Sequence, residues 1–257
     1  MPTKSIRILS YITIPAIATG YGIHLGLNHL EEKYPARPLA AGSTALSTSS
    51  RISQRCAYTD IYAARIRLEA LESRIPETEL AKDRKVALEE AWARAVLSSR
   101  PLRTEASILG LFRTGKYAPG DLGQDGFATD SQTGTPRTLL QGLFVVEKEP
   151  VQQDSNGLLV SWSMADGPRL FFEKIARWGY PWRLMSGGRH EMSVSEPFEV
   201  KGEGKFVEVR FSAAHDYEII PEEKGKQKIM PEWTNRLHRG YARFVLDSAA
   251  REVEFGL

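Results

Sequence analysis

Hydrophobic residues alternate with polar ones in several short runs along this chain. The alternation is regular from Tyr62 to Leu68 and from Phe206 to Phe211. Because successive side chains of a strand point to opposite faces, both runs predict half-buried strands. Apolar runs at Glu105–Phe112, Leu139–Glu147 and His215–Ile220 predict further strands, so we expect a sheet.

Two other stretches have a helical period, in which hydrophobic residues recur every three or four positions. One runs from Glu77 to Leu97, and the clearer one runs from Trp233 to Val253. Both are typical of amphipathic helices that bury one side. On the second helix, one face contains Leu237, Tyr241, Phe244, Val245, Ser248 and Ala249. We expect this face to pack on the sheet and to bury Leu237, Tyr241 and Phe244.

The stretch from Leu158 to Phe198 combines several of these patterns. It contains three of the five tryptophans and the glycine pair Gly187–Gly188, followed by Arg189, His190 and Glu191. Turn sequences, Asn-Gly and Asp-Gly-Pro, flank its first apolar run. The pattern predicts a strand, a short helix, an aromatic turn and a second strand. Alternation along the second strand places His190 on its apolar face.

The aromatic residues of this stretch are candidates for the wall of a pocket. Aromatic rings offer rigid apolar surface, and the glycine pair lets a ligand approach the backbone. The alternative is a packed corner of the core, since large aromatic residues are usually buried. The residues considered for ligand contact are Trp162, Trp178, Tyr180, Trp182, Arg189 and Tyr217.

Two histidines are candidates for chemistry in such a pocket. His190 follows the glycine pair, and His215 lies on another predicted strand beside Asp216. An antiparallel sheet can bring the two strands side by side, with both histidines on one concave face. An imidazole there can act as general acid or base without a cofactor. The alternative is that both are hydrogen-bonded structural residues.

The amino-terminal part of the chain is apolar and uncharged from Ile8 to Leu30. This run is long enough to cross a bilayer as a helix, and basic residues precede it. We expect a single-pass membrane protein; a cleaved signal peptide or an amphipathic targeting segment is the alternative. The predicted organisation is an anchor over residues 1–34, a flexible linker over 35–55 and one globular domain over 56–257.

Composition narrows the classes of function. The net charge is +2 and there is no basic block, so nucleic-acid binding is not expected. The single cysteine, Cys56, excludes an internal disulfide and a cysteine-rich zinc site. No histidine and carboxylate spacing indicates a metal, and no phosphate-loop, dinucleotide or serine-hydrolase motif is present. We therefore expect no cofactor.

The order of elements is a strand, a helix, several strands with one helical insert, and a long carboxy-terminal helix. It resembles the helix-grip fold of the START-like (SRPBCC-type) superfamily, which includes lipid carriers, hormone binders and polyketide cyclases. The segment DGPRLFFEKIARWGYPWRLMSGGRHE is also similar to uncharacterised fungal proteins with a membrane-proximal amino terminus. The resemblance implies an α+β domain in which a curved antiparallel sheet wraps the terminal helix over an apolar cavity.

These observations lead to a membrane-tethered domain with a hydrophobic pocket. One expectation is a cofactor-free cyclase or isomerase that acts on an apolar metabolite in specialised metabolism. The alternative is a non-catalytic protein that binds lipid or another hydrophobic ligand, and a scaffold with a filled core is a third reading. The expected partners are a hydrophobic small molecule and the membrane.

Overall fold

The computed structural model describes residues 19–49, 51–79, 83–129, 134–150 and 156–256. These residues form an α+β domain with a curved antiparallel sheet of seven strands and a carboxy-terminal helix. The elements are, in order, α1 (residues 19–33), α2 (Thr44–Ser47), β1 (Gln54–Arg67), α3 (Leu68–Glu72), α4 (Arg84–Ser98), α5 (Arg100–Thr114), β2 (Thr138–Leu139), β3 (Phe144–Lys148), β4 (Leu158–Ser163), α6 (Asp166–Arg177), β5 (Gly187–Val194), β6 (Phe198–Val200), β7 (Gly204–Glu218) and α7 (Glu232–Phe255).

The sheet has the strand order β1-β7-β5-β4-β3-β2, and β6 pairs with the start of β7. The first and last strands pair along their length, from Gln54 opposite Glu218 to Arg67 opposite Phe206. The predicted runs at residues 206–211 and 215–220 therefore belong largely to one long strand. The prediction of a strand, a helix and a second strand between residues 158 and 198 is confirmed by β4, α6 and β5.

The sheet has two faces, which we call the helix face and the outer face. Helix α7 packs on the helix face along β1 and β7, and α4 packs there against β5. Trp92 of α4 is fully buried, and its Nε1 donates to the carbonyl oxygen of Arg210 at 2.8 Å. The core between these helices and the sheet contains Tyr62, Met192, Phe211 and Leu246, among others. Burying a side chain of this size contributes about 1.5–3 kcal/mol.

The segment predicted as a linker, residues 35–55, lies against the outer face. Leu46 of α2 is buried in a small apolar cluster with Ile61 and Leu159. Ser43 caps α2, and its backbone N–H donates to the Glu191 carboxylate at 3.2 Å. These contacts tie α2 to the centre of the sheet.

Residues 105–112, predicted as a strand, are part of helix α5, so that prediction was wrong. Pro101 lies in the first turn of α5, where its missing N–H costs no hydrogen bond. Gly115, at φ +71°, ends the helix. Apart from Leu102, the buried residues of α5 are small, namely Ala106, Ser107 and Gly110. The large apolar residues Ile108, Leu111 and Phe112, which suggested a strand, are exposed.

The predicted inward face of α7 is confirmed at Val245 and Ala249, but the prediction that its three largest residues are buried was wrong. Leu237, Tyr241 and Phe244 retain 40%, 37% and 49% of their surface, while Leu246 is fully buried. The residues of α7 that face the core are mostly small, and they include Ala242, Val245, Leu246, Ala249, Ala250 and Val253. Small side chains let the helix approach the sheet closely, so the buried face is not the one with the largest residues.

Helix α1 lies along α7 and points in the same direction. A Cβ atom at Gly240 would lie 2.0 Å from Cδ2 of Leu27, so the glycine permits the close crossing. Arg236 donates to both carboxylate oxygens of Glu31 at 2.9 Å, and Lys33 pairs with Asp247 at 2.6 Å.

Among the described helices, none combines the length and the apolar character needed to span a bilayer. The uncharged run that predicted an anchor is only partly described. Its second part, from residue 19, belongs to α1, and its first part, residues 8–18, lies outside the described residues.

Candidate functional site

Three histidines gather on the helix face of the sheet, and we call them the histidine cluster. His190 on β5 and His215 on β7 belong to neighbouring strands, with Gly188 opposite His215 and His190 opposite Ala213. The expectation that both histidines share one face is therefore confirmed. The third member, His238 of α7, packs its ring edge-on against His215 with centroids 4.6 Å apart.

Aromatic rings enclose the cluster. Tyr58 of β1 stacks on His215 with ring centroids 4.4 Å apart, and Phe211 stacks on His190 at 5.1 Å. Trp162 of β4 lies parallel to His190 at 6.5 Å. The imidazoles therefore lie in surroundings of low polarity, although His190, His238, Tyr58 and Trp162 are only partly buried and keep some accessible surface.

The glycine pair explains how the tryptophan reaches this position. A Cβ atom at Gly188 would lie 2.9 Å from Nε1 of Trp162 and 2.2 Å from the carbonyl oxygen of Ala214. At Gly187 it would lie 2.5 Å from the carbonyl oxygen of Trp162. Glycine thus lets β4, β5 and β7 come close together, and it lets the indole lie over β5 beside His215.

Several buried polar atoms of the cluster have no hydrogen-bond partner among the described residues. They are both ring nitrogens of His215, Nδ1 of His190 and Nε1 of Trp162. A buried polar group without a partner costs about 1–3 kcal/mol, and native proteins contain few of them. These atoms come from three adjacent strands and lie on one face. A polar group of a ligand, or a water molecule, could therefore form hydrogen bonds with the protein at this place.

Burial also determines the charge state of the histidines. Burial, together with a smaller contribution from the charge of His238, lowers the pKa of His190 to about 3. Burial likewise holds the pKa of His215 well below its usual value and lowers the pKa of His238. All three rings are therefore neutral at physiological pH. Each neutral ring offers one N–H donor and one nitrogen acceptor.

Polar groups from β1 and α7 border the cluster. The Tyr58 hydroxyl donates to Oδ1 of Asn235 at 2.9 Å. Asp60 follows two positions later on the same face of β1, and its burial raises the pKa of its carboxyl group. Tyr217, a predicted ligand contact, lies on the helix face, where its hydroxyl accepts from the backbone N–H of Met230 at 3.2 Å.

The other predicted ligand residues lie elsewhere. Trp182 stacks on Phe172 of α6 at 4.9 Å and contacts Tyr180 at 4.7 Å, which makes a separate aromatic group. Trp178 is largely exposed at the end of α6. Arg189 lies on the outer face, where a buried, two-point ion pair with Asp216 already uses its charge. Of the predicted site residues, the structure brings together His190, His215, Trp162 and Tyr217.

Tyr58, Asp60, Asn235 and His238 are part of the candidate site but were not selected from the sequence. The signal for two of them was present, because Tyr58 and Asp60 place polar groups on the inward positions of an otherwise apolar strand. Asn235 and His238 meet them only through the packing of α7 on β1, which local patterns do not reveal.

Within the described ranges, no three histidine, cysteine or carboxylate side chains are arranged to hold a metal ion. The chain matches no protein-family model, and comparison with curated proteins and with solved structures finds no significant similarity.

Proposed function

We propose that this domain binds an apolar small molecule on the helix face of its sheet, with the histidine cluster hydrogen-bonded to a polar group of that molecule. The observation that carries the proposal is the set of unpartnered atoms on His190, His215 and Trp162. A ligand carbonyl would accept from an indole or imidazole N–H of this set, and a ligand hydroxyl could in addition donate to an imidazole nitrogen that lacks a proton. The surrounding rings of Tyr58 and Phe211 suit the apolar remainder of the ligand.

The strand topology supports a helix-grip-like reading of the fold. The first strand pairs with the last, the remaining strands follow in descending order, and α7 packs on the sheet. In such a domain the ligand lies between the sheet and the terminal helix. The cluster occupies this position, since His238 of α7 covers His215 of β7.

Cofactor-free catalysis, as a cyclase or isomerase acting on an apolar metabolite in specialised metabolism, is the second candidate. It is favoured by Asp60, because a carboxyl group with a raised pKa on the same face of β1 as Tyr58 can exchange a proton with a substrate. The low pKa of His190 favours ligand binding over catalysis, because a general base works best when its pKa is near the working pH.

The direct test is the capture of a ligand by the full chain. We expect the protein purified from its own host to carry an apolar molecule that is seen by native mass spectrometry. His215→Phe should release it, because phenylalanine fills the space without hydrogen bonds. His29→Phe, at an exposed position of α1, is the matched control. A fully folded wild type that carries no ligand and gains no thermal stability from apolar host extracts would refute the proposal.

The same experiment separates binding from catalysis. A carrier returns its ligand unchanged, whereas an enzyme converts it, and His190→Phe or His215→Phe would then cause the substrate to accumulate in cells. Conversion at the wild-type rate by both variants would exclude these histidines from the chemistry.

We also propose that the chain is tethered to a membrane by the uncharged run that begins at Ile8. The support is the sequence of residues 8–18, which contains no charged side chain. We expect the full chain to resist extraction from membranes by alkaline carbonate, and Ile14→Arg to weaken that resistance, because a charge near the bilayer centre is costly. Complete extraction of the wild-type chain would argue against an integral anchor.

A further inference from the structure

Helix α6 packs Phe172 against Trp182, but other large apolar side chains of the helix face away from the protein. Its inner side contains Arg169, which pairs with Glu173 at 2.7 Å, and the buried Ala176. On its outer side Leu170 and Phe171 retain 51% and 58% of their surface. A surface helix normally turns its apolar side to the core. The exposed apolar side chains of α6 therefore indicate a contact with an apolar environment outside the domain.

Basic side chains lie within this outer face. Lys174 is exposed between the apolar residues, and its Nζ lies 5.3 Å from the centre of the Trp178 ring. Trp178 itself is 75% exposed, and Arg177 is exposed next to it. Aromatic and aliphatic residues mixed with lysine and arginine are typical of helices that lie in the interface of a bilayer. The long basic side chains can reach the headgroups while their stems stay among apolar neighbours.

A hydrogen bond links the carboxyl end of α6 to the loop that precedes α7. Nζ of Lys228 donates to the carbonyl oxygen of Ala176 at 2.6 Å, and α7 begins four residues later at Glu232. Trp233, in the first turn of α7, is 65% exposed. A second large aromatic side chain is therefore exposed at the start of the helix that follows Lys228.

The chain enters the described domain at this same end. His24 and Asn28 of α1 contact Arg236, near the start of α7. Since α1 and α7 point in the same direction, residue 19 lies further out, beyond Arg236. The segment before it, residues 8–18, has no charged side chain.

We infer that the outer face of α6, together with Trp233, docks on a lipid bilayer that contains anionic headgroups. The bilayer is the occupant that explains the apolar side chains, the basic residues among them and the uncharged sequence that precedes residue 19. The inference goes beyond the proposed tether, because it fixes which surface of the domain faces the lipid. It is independent of ligand binding at the histidine cluster. Docking places that cluster close to the bilayer, since His238 lies near the amino end of α7.

The test measures whether α6 is shielded by vesicles. The full chain with Cys56→Ser is labelled with an environment-sensitive fluorophore at Phe171→Cys, an exposed position whose replacement leaves the core intact. The matched control is a label at Phe198→Cys on β6, which pairs with Phe206 at the far end of β7. Phe206 and Glu218, at the other end of β7, are roughly 40 Å apart at about 3.3 Å per residue. Vesicles of phosphatidylcholine with phosphatidylserine are used, and flotation identifies the bound protein.

We expect vesicles to shift the emission of the label at position 171 to shorter wavelength and to remove most of its quenching by iodide. Iodide should quench the label at position 198 to the same extent with and without vesicles. Vesicles that lack phosphatidylserine should protect the label at position 171 less from iodide. Equal quenching of both labels on vesicle-bound protein, or no binding to vesicles, would overturn the inference. Protection at position 171 without vesicles would assign this face to a second copy of the chain. Ligand retention measured on the same samples reports separately on the histidine cluster.

Discussion

His215 and Tyr58 face each other across the pairing of β7 with β1, and their rings stack with centroids 4.4 Å apart. The Tyr58 hydroxyl turns to Asn235 and leaves both nitrogens of His215 without a partner among the described residues. Because His238 covers another side of the same ring, the imidazole is packed between two other rings. A ring held in this way is free to bond to a ligand, and it is sensitive to anything that would charge it.

This sensitivity predicts how stability changes with pH. The pKa of His190 is about 3 and that of His215 is well below normal, whereas both are about 6.5 in the unfolded chain. As the pH falls below about 6.5, the unfolded chain binds protons that the native state does not, so stability present above that pH is lost. The loss is at most about 1.4 kcal/mol per pH unit for each histidine.

Urea unfolding of wild type, His190→Phe and His215→Phe between about pH 7 and pH 4 measures this contribution. Each variant should lose less stability on acidification than the wild type, while His29→Phe should follow the wild type. Parallel curves for all four proteins would mean that these histidines can be charged in the native state.

The glycine at position 188 is expected to be indispensable. In Gly188→Ala the new Cβ would meet the carbonyl oxygen of Ala214 at 2.2 Å and Trp162 at 2.9 Å. Overpacking of this kind typically costs about 1–3 kcal/mol, and here backbone has to move. Gly167→Ala, on α6 with nothing within 4 Å, is the control and should be neutral or slightly stabilising. The midpoints of thermal unfolding of the two variants are compared. Equal midpoints would contradict the close packing of β5 on β7.

The ion pair on the outer face should behave as a unit. Arg189 donates to Asp216 at 2.5 and 2.9 Å and to the carbonyl oxygen of Leu46 at 2.8 Å. Removing one partner leaves a buried charge, so Asp216→Leu or Arg189→Met should each cost about 3–5 kcal/mol. The double variant should cost much less than the sum. Additive losses in denaturant titrations would show that the two side chains do not depend on each other.

The orientation of α7 can be tested with two leucines of the same helix. Leu246 is fully buried, so Leu246→Ala should reduce the free energy of unfolding by about 2–5 kcal/mol. Leu237 is 40% exposed, and Leu237→Ala should cost clearly less. The two costs are compared by urea titration. A larger decrease in the free energy of unfolding for Leu237→Ala than for Leu246→Ala would mean that Leu237 faces the core, as the sequence pattern predicts.

Local patterns predict several elements of this fold because those elements bury side chains in a regular way. Alternation on β5 places His190 on the helix face, and turn residues mark both ends of β4. The face of α7 cannot be predicted in this way. The helix has one row of large apolar residues and one row of mostly small ones. The row of small residues is buried because it lets the helix approach the sheet closely. The strand predicted at residues 105–112 failed for the same reason, since α5 also buries its small residues.

The candidate site shows the same limit. Facing positions of His190 and His215 follow from period-two alternation and from the pairing of neighbouring strands. The participation of Tyr58 and His238 depends on contacts between residues far apart in the sequence. Arg189 looked equally suitable beside His190, but adjacent residues of a strand point to opposite faces, and its partner Asp216 is on the outer one.

The pairing of β1 with β7 has a consequence for how the domain forms. Gln54 and Glu218 are 164 residues apart, yet they lie opposite each other and share a hydrogen bond. Folding rates fall as contacts become less local, because a long loop must close before the contact can stabilise anything. During synthesis β1 leaves the ribosome early and has no partner until β7 has been made. We therefore expect the domain to fold slowly and only after β7 has been made, and its first strand to need protection from aggregation until then.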